Sequence, residues 1–248
     1  MKSSIPAFLI LLTLVPPAQA TPSSTVWTPM TLDIQPHGLL HIGVDNYFTV
    51  ERTLADGGGA FPTDAGLTIG VLPFDRFQLE VGVDYFAPAD HPWFFNAKAG
   101  APEGTLFPHA PAVEAGIFNV GTEKGVTDQN IFYGVLGITV PGVARVSAGP
   151  YVGNGAVLRD EKSGFMIAAD RGFAPRQDAA GEYNAFALAG DYASGENALG
   201  GGGVALYYYF HRDISLETGP VWFHEEAING KWKWTIQLDI NHPRLFGK

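Results

Sequence analysis

Nine ionisable residues carry most of the chemical potential of this 248-residue chain: Asp45, Glu80, Asp84, Lys98, Glu114, Arg145, Glu217, Lys233 and Asp239. All fall on the polar faces of alternating segments, where they could bind or pass a charged solute. Other constellations are weaker. The seven histidines are dispersed. His37 and His41 are four residues apart, which on a strand places them on one face about 13 Å apart, too far for one metal ion. His224-Glu225-Glu226 could ligate a divalent cation at a loop tip, but a solvated loop is the better reading. His41 and Asp45 would share a strand face as a base and its orienter, but no serine stands beside them to serve as nucleophile. There is no phosphate loop, no nucleophile elbow and no zinc helix. The run Gly200–Gly203 lacks the following Lys and precedes a strand, so it reads as sheet curvature. The chain contains no cysteine, which excludes disulfide scaffolds, thiol nucleophiles and cysteine-ligated clusters. No catalytic residue, metal site or cofactor is expected, and the chain is read as not an enzyme.

The segments that must position these residues have a period of two. From Arg76 to Tyr85 the odd positions are Phe77, Leu79, Val81, Val83 and Tyr85, while the even ones are Arg76, Gln78, Glu80, Gly82 and Asp84. Successive strand side chains point to opposite faces, so this is a strand with one apolar face. Trp232 to Ile240 repeats the pattern, with Lys233, Thr235, Gln237 and Asp239 on the polar side. Weaker versions cover Leu40–Val50, Ala65–Val71, Phe95–Ala99, Val113–Asn119, Ile131–Val140, Val143–Val157, Phe165–Ala169, Tyr183–Tyr192, Val204–Phe210 and Ile214–Trp222. Helix signals are nearly absent, and glycine recurs inside most segments. The expectation is an all-β chain of about twelve strands (10–12). Tight turns at Leu72–Asp75, Pro141-Gly142 and Phe210–Asp213 alternate with longer loops such as Arg52–Thr63. Ala101–His109 and Ala174–Glu182 break that alternation by being long where a turn is due.

The first twenty residues read as an address. Lys2 precedes the apolar run Ile5–Val15, and Pro16-Pro17-Ala18-Gln19-Ala20 ends in a small-x-small pattern. This is a Sec-type signal peptide with cleavage expected after Ala20, too short to anchor in a bilayer. Residues 21–248 then form one domain. Only 16% of the chain is charged, against roughly 25% for soluble domains. The net charge of −10 disfavours a nucleic-acid partner, and 46% hydrophobic residues disfavour disorder. Polar faces are rich in small residues, and aromatics gather near strand ends: Phe74, Phe77, Tyr85, Phe86, Trp93–Phe95, Tyr207–Phe210, Trp222, Phe223, Trp232 and Trp234. Such girdles mark membrane barrels.

With the closing segment Gly230-Lys231-Trp232-Lys233-Trp234-Thr235-Ile236-Gln237-Leu238-Asp239-Ile240, these features make the chain similar to small Gram-negative outer-membrane β-barrel proteins. Such proteins usually end on an aromatic residue, whereas this sequence continues to Lys248 with Phe246 near its end. The resemblance implies a transmembrane up-and-down antiparallel β-barrel in the outer membrane, with lipid as its surroundings and the nine ionisable residues lining its lumen. The leading expectation is a narrow channel or transporter for small solutes, with cation preference if Glu80, Asp84 and Asp239 line the lumen with few cations near them. Two alternatives stand beside it: a structural or interaction barrel that binds a periplasmic or extracellular partner, and a lipid-modifying outer-membrane enzyme. Lumenal charges also admit a plug of paired side chains.

Overall fold

Alternating sequences of this kind can satisfy their backbone polar groups in lipid only by closing on themselves, since an open sheet edge would leave N–H and C=O groups unpaired. The structure, a computed structural model, describes residues 24–50 and 61–242. The signal peptide, its cleavage point and most of the Arg52–Thr63 loop lie outside the described residues. Twelve strands follow in order: β1 (Leu40–Thr49), β2 (Thr63–Gly70), β3 (Gln78–Ala87), β4 (Trp93–Ala101), β5 (Ala112–Gly121), β6 (Asp128–Val140), β7 (Ala144–Val152), β8 (Ser163–Asp178), β9 (Gly181–Ala193), β10 (Gly201–His211), β11 (Ile214–Phe223) and β12 (Trp232–His242). Single helical turns, α1 (Gly155–Leu158) and α2 (Glu226–Asn229), sit in the loops after β7 and β11. Each strand pairs antiparallel with the next, and β12 closes on β1 in an unbroken register from Leu40↔His242 to Thr49↔Lys233. Tilted strands of ten residues rise roughly 25 Å, the height of a bilayer's apolar band.

The barrel is inside out relative to a soluble protein. Large apolar side chains point outward and are exposed, among them Leu67, Val81, Val113, Leu136, Ile167, Leu188, Val204, Ile236 and Leu238. A continuous apolar surface of this extent is tolerated only against lipid or another apolar surface. Aromatic side chains border it at both ends. Phe48, Tyr85, Trp93, Phe95, Phe165, Trp222 and Trp234 ring one end, while Phe74, Phe77, Phe107, Phe173 and Phe210 mark the other. A third of the aromatic residues assigned to girdles from sequence face inward instead. Phe86 and Phe94 line the lumen, and Tyr207, Tyr209 and Phe223 are buried there.

The connections explain two irregularities in the sequence. β8 continues to Asp178 and turns through Ala179-Ala180 into β9, so the hairpin is tight where the sequence suggested a long loop. Pro175 and the left-handed Ala174 (φ 58°) interrupt the alternation there, and Arg171–Gln177 are exposed. The connection between β4 and β5 is long, as the sequence implied. β7 ends at Val152, not near Val157, because Gly155–Leu158 forms α1 and buries Leu158.

Residues 24–39 do not join the wall but run inside it. Thr25, Val26, Thr28, Met30, Thr31, Ile34 and Gln35 are buried. The segment enters beside the start of β1, where His37 bridges to Gly70. It rises until Trp27 meets Tyr47, Phe61 and Phe223 near the far rim, at ring-centroid distances of 5.6, 6.0 and 5.0 Å. Glycine makes room for it. A side chain at Gly70 would strike the Gln35 and Pro36 carbonyls, one at Gly137 would strike Leu32, and one at Gly203 would strike Val26.

Candidate functional site

The lumen has two halves, and the N-terminal segment divides them. Towards β6–β8 its apolar side chains complete a dry core, in which Met30 packs with Ile131, Tyr133, Val135, Tyr151 and Met166. Val26 does the same with Tyr207, Val221 and Phe223. Burying a side chain of this size stabilises by roughly 1.5–3 kcal/mol relative to leaving it wet.

Polar contacts fix the register of the segment. Asp191 on β9 accepts backbone hydrogen bonds from Val26, Trp27 and Thr28 at 2.9, 2.8 and 2.7 Å. Tyr207 donates to the Thr25 carbonyl, Gln237 donates to the Val26 carbonyl at 3.1 Å, and Ser147 donates to the Met30 carbonyl at 2.6 Å. Near the opposite rim Arg145 bridges Asp33 of the segment (2.7 Å) and Asp170 of β8 (3.0 Å). Glu80 accepts the Gln35 backbone N–H at 2.7 Å, and Lys98 donates to the Thr31 carbonyl at 3.2 Å.

On the β1–β6 side the segment leaves a cavity of about 330 Å³. Asp45, Asp64, Glu80, Asp84, Asp239, His41 and Lys98 line it, together with the faces of Tyr47, Phe86, Phe94 and Phe118. The alternation that turns Val44, Leu67 and Tyr85 outward necessarily turns Asp45, Thr68 and Asp84 inward. Of the nine residues singled out from sequence, Asp45, Glu80, Asp84, Lys98 and Asp239 line this cavity. Glu114 faces Lys98 at 3.7 Å, and Arg145 holds the segment. Glu217 and Lys233 are wholly buried in the interior, and the Lys233 ammonium lies over the Phe61 ring at 4.4 Å.

Sequence reasoning missed Asp33, Asp64, Asp170 and Asp191. Asp64 begins the inward row Asp64, Gly66, Thr68, one position before the start assigned to that strand. Asp191 stands on the inward row of β9, and nothing local distinguishes it, because its partners in the N-terminal segment lie more than 160 residues away.

His41 is held on both ring nitrogens. Nδ1 lies 2.9 Å from Asn241 Oδ1, and Nε2 lies 3.4 Å from Asp239 Oδ1. Ser215 donates to the other Asp239 oxygen at 3.1 Å, so serine and imidazole meet the same carboxylate rather than each other. That arrangement does not activate the hydroxyl. His224 Nδ1 donates to the Gly195 carbonyl (3.0 Å), and the ring packs on Tyr192.

No family model matches the sequence, and no curated protein is similar to it. Several solved structures share its general outline at 10% identity. An outer-membrane channel from Pseudomonas putida F1 has a TM-score of 0.48 over 85% of this chain and 97% of that one. The KdgM porin has a TM-score of 0.46 over 82% and 98%, both at 10% identity. A mutant porin of Rh. blastica has a TM-score of 0.42 over 72% of this chain and 55% of its own, again at 10% identity. The closed ladder and the outward apolar belt identify the chain as a twelve-stranded membrane β-barrel of the outer-membrane type.

Proposed function

We propose that this protein is an outer-membrane channel that passes small solutes through the space between its N-terminal segment and the β1–β6 wall. The observation that carries this reading is the cavity of about 330 Å³, lined by carboxylates and aromatic faces, left beside a segment that otherwise packs the lumen tightly. A twelve-stranded cylinder is wider than the eight-stranded barrels whose side chains fill the interior, and far narrower than open porins. Here the segment removes part of that width, so the solutes are small and the conductance is low. Planar-bilayer recording of the purified protein tests the proposal: small, discrete current steps are expected, and silence at every voltage refutes it.

The dense packing of residues 24–35 against β6–β11 favours a second reading, in which the barrel is a closed scaffold that presents its loops to a partner. The same recording separates the two, since a scaffold carries no current.

A further inference from the structure

We infer that the cavity beside the N-terminal segment selects small organic ammonium cations; this deepens the channel reading by naming its solute class. Carboxylates on three consecutive strands face into it. Asp45 stands directly opposite Asp64, and Asp84 stands opposite Gly66, two positions further along β2. Direct cross-strand partners lie about 5 Å apart and diagonal ones roughly 7–8 Å. Asp45 therefore feels the charges of Asp64, Asp84 and Asp239 together, opposed only in part by His41.

Among the described residues, five carboxylates, Asp45, Asp64, Glu80, Asp84 and Asp239, outnumber the two basic side chains in the lining, Lys98 and His41. Both of these are already engaged: His41 with Asn241 and Asp239, and Lys98, which stands opposite Glu80, with Glu114 and the Thr31 carbonyl. Arg145 is clamped between Asp33 and Asp170. Lys233 sits over Phe61 and donates to Thr49. What Asp84 receives is the neutral amide of Asn96, at 2.8 Å. Glu80 is wholly buried and lines the cavity, and its Oε1 has no hydrogen-bond partner among the described residues; Asp64 Oδ1 has none either. Burying more carboxylates than the neighbouring cations balance is costly, so an entering cation relieves an unfavourable field.

The type of cation follows from the walls. Among the described residues no three carboxylates or imidazoles converge closely enough to hold a metal ion. The charges are instead spread along the wall beside aromatic faces, with Phe86 and Phe94 in edge contact at 4.7 Å. Ammonium groups are attracted to such ring faces, and an alkyl body is desolvated against them. A cation that brings several N–H donors and a short carbon chain matches both features.

Isothermal titration of the full chain in detergent with 1,4-diaminobutane and butylammonium tests this, with butanoate as the anionic control. Both amines should bind, the diamine more tightly, and butanoate should not. The near-isosteric variants D64N and D84N should each weaken amine binding about ten-fold while the protein retains its strand spectrum. Equal binding of butanoate, absence of amine binding, or unchanged affinity in both variants overturns the inference. Bilayer potassium-over-chloride permeability provides a second readout independent of amine affinity. A conducting wild type without cation preference sinks the inference and leaves the channel standing, whereas amine binding by a silent barrel sinks the channel and leaves the site.

Discussion

Asp191 and Thr28 are joined twice: one carboxylate oxygen of Asp191 accepts the Thr28 backbone N–H at 2.7 Å and its hydroxyl at 3.0 Å. The same oxygen takes the N–H groups of Val26 and Trp27, and the other oxygen takes the Gly203 N–H at 3.2 Å. A single buried side chain on β9 thus holds the turn of the N-terminal segment, three residues whose N–H groups would otherwise be unpaired inside the lumen. Hydrogen bonds to a charged acceptor are each worth about 1.5–3 kcal/mol.

Replacing Asp191 with Ala removes this anchor and leaves the N–H groups of Val26, Trp27 and Thr28 without an acceptor. The segment should detach from the wall while the strand ladder persists. Limited proteolysis of the folded barrel should then cut within residues 24–35, where the wild type resists, and bilayer conductance should rise severalfold.

Met30→Ala acts on the same segment through packing. Met30 is 1% exposed in the core built by β6–β8, and removing its side chain leaves a hole that this rigid wall fills poorly. The expected cost is about 2–5 kcal/mol of segment attachment, read as accelerated proteolysis and faster hydrogen exchange at residues 24–35.

The outward face makes a different prediction. Leu136 is 56% exposed near the middle of β6, with Val113 opposite it on β5. Leu136→Arg should destabilise the barrel in lipid vesicles by roughly 2–4 kcal/mol, the cost of a cation near the bilayer midplane. Denaturant unfolding monitored by tryptophan fluorescence measures it. A soluble sandwich would tolerate arginine at so exposed a position with little change.

The walls of this protein are legible in its sequence because lipid outside and polar interior impose strict alternation, as in Arg76–Tyr85 and Trp232–Ile240. The inward row of carboxylates is legible for the same reason: Glu80 and Asp84 alternate with Leu79, Val81 and Val83. The last nine residues of β8 escape this logic. Arg171–Gln177 are exposed, so no burial enforces a pattern there, and Pro175 breaks the ladder as a loop residue would. The lumenal segment escapes it more completely. Residues 24–39 have no period of their own, because every side of an extended chain inside a barrel meets wall or cavity. Its trace in the sequence is indirect and lies in the wall glycines, Gly70, Gly137 and Gly203, which read as sheet curvature and instead clear a path for backbone and side chains.

The most direct test of the account is a covalent lock. A side chain at Gly203 would lie 2.6 Å from a Val26 methyl, close enough for a disulfide between V26C and G203C, and the chain has no cysteine of its own to compete. Oxidation of this double variant fixes the segment against β10 and leaves the carboxylate-bearing wall of β1–β3 unchanged. Single-channel recording of the oxidised protein should give the wild-type conductance, unchanged on reduction. An oxidised protein that is silent and conducts only after reduction would contradict a passage beside the segment.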